Sequence, residues 1–115
     1  MVVHITQDLM MSSNASAASR AAGHKFKFVA SWERAAHVIN ENEVEVLIID
    51  LQSEGLDIDE LVEGLKDLAE SNRPQTIAYA QHVEGALLEK ANAAGFDKVM
   101  TRGQAHQALP ELLKS

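Results

Sequence analysis

Five short apolar runs, each followed by a longer amphipathic stretch, constrain this chain more than anything else in its sequence. "VVHIT", "KFKFVA", "EVLIID", "QTIAYA" and "DKVMT" read as strands. Val2 to Ile5 and Val46 to Ile49 are apolar enough to be buried on both faces, which is the mark of a parallel sheet. The intervening segments have helical spacing. Met11, Ala15, Ala18 and Ala22 share a face that Gly23 can end, and Trp32, Ala35, Ala36 and Ile39 follow a Ser31 cap. Ile58, Leu61, Val62, Leu65 and Leu68 form another stripe. Val83, Leu87, Ala91 and Ala94 lead to Gly95, and Ala105, Ala108, Leu109 and Leu112 form the last, with Pro110 inside it as a defect. Strands alternating with helices imply right-handed crossovers and a doubly wound α/β/α sandwich of three layers. The expected strand order is 2-1-3-4-5. Strand two is then an edge, and Lys25 and Lys27 alternating with Phe26 and Phe28 suit an edge guarded against pairing.

Composition removes several classes of function. At 115 residues the chain has the length of one domain, 1–115, with a single core. It has 0 cysteines, so disulfides, thiolate catalysis and cysteine-based zinc sites are excluded. A formal charge of -7 argues against a nucleic-acid binder, and only "HKFK" resembles a basic cluster. No basic leader and no apolar run of roughly 18 residues is present, so a cytoplasmic location without membrane association is expected. His4, His24, His37, His82 and His106 lack metal-ligand spacing. His82 alone falls in a loop at the carboxyl ends of the strands, where a solvated residue is the ordinary reading and a pH-sensitive group the alternative. The glycines of "QSEG" and "VEGALL" are turn residues, not a phosphate loop. "DIDELVEGLKDLAE" reads as a solvated acidic helix face, with docking of a basic partner as the alternative.

In a doubly wound sheet, ligands bind beyond the carboxyl ends of the strands at the point where the winding reverses. Thr6, Gln7 and Asp8, then Asp50 to Gln52, Ala80 to His82 and Thr101 to Gly103 are expected to meet there. The order of elements and the segment "LIIDLQSEGLD" resemble the CheY-like receiver domain of bacterial two-component response regulators over essentially the whole chain. Gly23 and Gly95 resemble that family's glycines after helices one and four. The resemblance implies the flavodoxin-like receiver fold. It also places Asp50 at the aspartate that accepts a phosphoryl group from a histidine kinase.

The same resemblance shows what is missing. The paired acids that hold Mg²⁺ fall on Thr6 and Gln7, with Asp8 as a partial substitute. The switch hydroxyl after strand four falls on Ala80, the rotating aromatic on Val99, the lysine on Arg102 and the proline after it on Gly103. An aspartyl phosphate needs a divalent cation and a placed ammonium to offset the charge on its oxygens. Asp8, Asp50 and the Gln52 carbonyl are therefore expected to make at most a weak Mg²⁺ site.

Two readings of Asp50 follow: a residual carboxylate paired with Arg102 or capping the loop, which is favoured, or a working phosphoacceptor; the alternative for Arg102 is an exposed surface charge. For Asp8 the alternative to metal ligation is capping helix one. The expected function is that of an atypical receiver, or pseudo-receiver, which is no enzyme and acts as a protein-interaction module. The expected partners are a histidine kinase, another receiver or an effector. Contact or homodimerisation would use the surface of helix four, strand five and helix five, around Leu88, Lys90, Val99, Gln104, His106 and Glu111. No output domain is expected within a chain of this length, so its target is expected in trans unless the chain is a fragment of a longer protein. The alternatives are a phosphorelay receiver and a flavodoxin-like domain that binds a small ligand over the same strand ends.

Overall fold

In a computed structural model, residues 1–114 are described. Strands β1 (Val2–Ile5), β2 (Phe26–Val29), β3 (Val46–Asp50), β4 (Gln75–Ala80) and β5 (Lys98–Thr101) form one parallel sheet in the order β2-β1-β3-β4-β5. Helices α1 (Leu9–Ala21), α2 (Trp32–Glu41), α3 (Ile58–Lys66), α4 (Gly85–Ala94) and α5 (Arg102–Leu112) cover it. The doubly wound three-layer architecture and its strand order are those expected from the alternation.

Strand parity divides the core in two. Val2, Val46, Ile48, Ile77 and Tyr79 face α1 and α5 and pack on Met11, Ala15, Ala105 and Leu109. Val3, Ile5, Leu47, Ile49, Ala78 and Ala80 face the other way, toward Ala35, Val38, Ile39, Ile58, Leu61 and Ala91 of α2, α3 and α4. Alternate residues of a strand point to opposite faces, so one position decides which layer a side chain enters.

Local chemistry sets the helix ends. Asp8, Ser31 and Asp57 accept hydrogen bonds from the first free amides of α1, α2 and α3. Thr101 and Gln104 make a reciprocal capping box on α5. Gly95 ends α4 at φ 88°, where a side chain would be strained. One expectation needs correcting. Val83 lies before α4, outside the helix, and is 71% exposed, because the helix begins only at Gly85. Pro110 does lie inside α5, as expected. Trp32 packs against α3 where Gly64 leaves room; a Cβ there would collide with the indole.

Candidate functional site

Asp50 ends β3 half-buried, with both carboxylate oxygens engaged. Oδ2 accepts from the Thr6 hydroxyl at 2.8 Å, and Oδ1 accepts from the Gln52 amide at 3.1 Å. The Thr6 hydroxyl also accepts from the Asp8 amide at 3.0 Å, so it closes the turn between β1 and α1. Gln7 joins two loops: its amide nitrogen donates to the carbonyls of Ala30 and Glu54, and its oxygen accepts from the Glu54 amide. Gln52 joins a third, since its side-chain oxygen accepts from the Gln81 amide at 2.7 Å. A neutral hydrogen-bond network thus connects the loops that follow β1, β2, β3 and β4.

Asp50 caps its own loop through Gln52, and the expected pairing with Arg102 is not made. The Arg102 guanidinium pairs with Asp8. Because Arg102 is the first residue of α5, its side chain leaves toward the N-terminus of α1, which Asp8 caps. Asp8 therefore serves α1 with Oδ1, accepting from Met10 and Met11, and Arg102 with Oδ2. The Met11 amide is the largest influence holding the Asp8 carboxyl below its usual range, and Arg102 adds to it.

Sheet register decides which β4 side chain lies beside Asp50. Ala80 does not face Asp50; it is fully buried on the α2–α4 side. The β4 residue paired with Asp50 is Tyr79, and residues in register in a parallel sheet point to the same face. Tyr79 is 1% exposed, and its hydroxyl lies 2.8 Å from Nε2 of His4, which is 0% exposed. The His4 ring also meets the edge of Phe26, with ring centroids 6.3 Å apart. Burial lowers the His4 pKa from 6.5 to about 4, with Asp8 opposing. Burial raises the Tyr79 pKa, and the Asp50 carboxylate adds to the rise. His4 and Tyr79 are site residues that the sequence reasoning missed. The available signal was a histidine in the otherwise apolar "VVHI" facing a tyrosine in "IAYA", two polar rings that can satisfy each other only across a sheet.

The residues expected to hold Mg²⁺ do not fit the ion well. Asp8 is spent on a helix cap and a guanidinium, and Asp50 on two hydrogen donors. Among the described residues, no three His, Cys, Asp or Glu side chains gather where they could hold a metal. Val99 is half-buried and packs against the α2–α4 core, and Gly103 opens α5 beside Arg102. His82 is exposed in an open groove of 570 Å³ that Met10, Val83, Arg102 and His106 also line. Among the described residues no helix is long and apolar enough to cross a membrane.

A doubly wound five-stranded sheet with an aspartate at the end of β3 defines a receiver-like α/β domain. Comparison with solved structures places it more closely: the chain has the fold of CheY-like response-regulator receiver domains. The receiver domain of the sensor histidine kinase PA1611 from Pseudomonas aeruginosa, with magnesium in its active-site cleft, is 15% identical. It matches with a TM-score of 0.80 over 97% of this chain and 92% of that one. The chemotaxis response regulator CheY4 of Vibrio cholerae is 13% identical and matches with 0.79 over 97% and 93%. The Saccharomyces cerevisiae Ssk1 receiver domain, crystallised with the phosphotransfer protein Ypd1, is 16% identical and matches with 0.78 over 97% and 84%. No protein-family model and no curated protein matches the sequence.

Proposed function

We propose that this chain is an atypical receiver, a cytoplasmic module of two-component-type signalling that works through protein contacts, with little or no phosphoryl transfer at Asp50. It has no enzymatic activity of its own in this reading, and only feeble affinity for Mg²⁺. The observation that carries the proposal is the engagement of both Asp50 oxygens by Thr6 and Gln52. Phosphorylation would break these bonds and add charge that neither a metal cluster nor Arg102, held by Asp8, is placed to neutralise. The contact surface proposed for a signalling partner, or for a second copy, is that of α4, β5 and α5. There Lys90, Gln104, His106 and Glu111 are exposed and Leu88 and Val99 half-buried.

The fold likeness to a receiver with bound magnesium and to one captured with a phosphotransfer protein favours a second reading, a working phosphoacceptor. One experiment separates them. Incubation with acetyl phosphate and Mg²⁺, followed by intact-protein mass spectrometry, is expected to show no added phosphoryl group. A Mg²⁺-dependent phosphoryl adduct that disappears in Asp50→Ala would establish the working receiver.

A further inference from the structure

The edge strand β2 has a charge and a hydrogen-bonding surface that the Asp50 site does not use. Val2 donates to the Lys25 carbonyl at 2.7 Å and Thr6 to the Val29 carbonyl at 2.9 Å. In a parallel ladder alternate residues bond the same neighbour, so Lys25, Lys27 and Val29 turn their backbones toward β1. Phe26 and Phe28 turn theirs outward. Nothing among the described residues pairs with them. The Phe28 side chain is 46% exposed on the same edge.

Charge is concentrated there as well. Arg20, Lys25, Lys27 and Arg34 are four of the ten Lys and Arg residues, whereas Glu33 is the one acid among seventeen in that span. All four cations are exposed, and none forms an ion pair among the described residues. Two grooves flank the strand. Arg20, Phe28 and Ser16 line the one beside α1, and Arg34 and His37 the one beside α2, with Lys27 between them. A chain with net charge -7 thus presents one basic edge with open backbone donors and acceptors.

We propose that the β2 edge docks an extended acidic segment of a partner protein as a sixth strand. The backbone of Phe26 and Phe28 would supply the ladder, and Lys27, Arg34 and Arg20 would select for carboxylates. A second copy is disfavoured because two such edges would bring Lys25 and Lys27 against their own kind, and this like-charge cost is what makes the edge selective. β2 lies at the opposite edge of the sheet from β5, and none of the residues in the proposal belongs to the Asp50 site.

The test uses the full chain and a fluorescein-labelled peptide of alternating glutamate and valine, with a lysine-for-glutamate peptide as control. Anisotropy at low ionic strength is expected to show binding of the acidic peptide alone. NMR is expected to show the Phe26 and Phe28 amides shifting and becoming protected from exchange. Phe28→Pro removes an outward N–H while leaving the bonds to β1 intact, so it should abolish binding in a folded protein. Lys27→Glu/Arg34→Glu, which leaves the backbone alone, should weaken binding by about tenfold or more. Absence of binding, equal binding of both peptides, protection confined to other amides, or dimerisation of the free chain through β2 would each overturn the proposal.

Discussion

Acidification should destabilise this protein through one buried residue. His4 is fully buried in β1, with Nε2 against the Tyr79 hydroxyl and Nδ1 facing no partner. In the neutral ring an N–H at Nε2 can donate to Tyr79, which leaves Nδ1 as a bare acceptor. Protonation places an unpaired N–H and a full charge in the core, the costliest outcome for such a group. The folded-state pKa of about 4 against an ordinary 6.5 expresses that cost. Because the folded value is the lower one, the unfolded chain takes up the proton first. Stability is complete above about pH 7 and falls as pH drops through 6.5 toward 4. At 1.36 kcal/mol per unit the whole shift is worth about 3 kcal/mol, of which about 2 kcal/mol is lost by pH 5. Urea unfolding at pH 7.5 and pH 5, followed by the fluorescence of Trp32, measures it. Carboxylates titrate in the same range, so the comparison is with His4→Leu/Tyr79→Phe, which replaces both partners with apolar groups. Wild type should lose about 2 kcal/mol more than the double variant between the two conditions. Equal losses would refute the assignment of the pH dependence to His4.

Three further predictions test other parts of the argument. Gly64→Ala, which in an open helix would gain up to about 1 kcal/mol, should instead cost about 1–3 kcal/mol because its Cβ meets the Trp32 indole; a raised Tm would contradict this. Asp8→Ala should cost more than Arg102→Met, since it removes the α1 cap, worth about 1 kcal/mol, as well as a half-exposed ion pair worth less than that. Equal costs in chemical denaturation would show that the pair, not the cap, is the larger contribution. Thr6→Asp/Gln7→Asp should introduce Mg²⁺ binding detectable by calorimetry, by adding carboxylates beside Asp50; no heat of binding at millimolar Mg²⁺ would show that more than these side chains separates this site from a metal centre.

Parity explains both what was legible beforehand and what was not. Runs such as "VLIID" and "VVHI" announce buried parallel strands whatever their detailed register, and the strand order follows from alternation with helices. The placing of Asp50 at the end of β3 needed no more than that. Ala80 does end β4, but which β4 side chain shares a face with Asp50 depends on the register to the residue, since a shift of one carries a side chain through the sheet. Tyr79 was therefore hidden within an apolar run. Arg102 was misplaced for a different reason. Its partner depends on where α5 begins, and the Thr101–Gln104 capping box starts the helix at Arg102, directly after β5.

The network around Asp50 also changes what the absence of the paired acids means. Here Thr6 donates to Asp50 and accepts from Asp8, Gln7 joins the loops after β2 and β3, and Gln52 joins those after β3 and β4. These neutral side chains tie the strand ends together directly, doing the geometric work that ligation by a shared ion could otherwise do. Beneath them His4 and Tyr79 bond to each other inside the sheet layer. Both sets of bonds hold the loops to one another and to the sheet. In the reading proposed above, the surfaces of the chain, the basic β2 edge among them, are where its specificity lies.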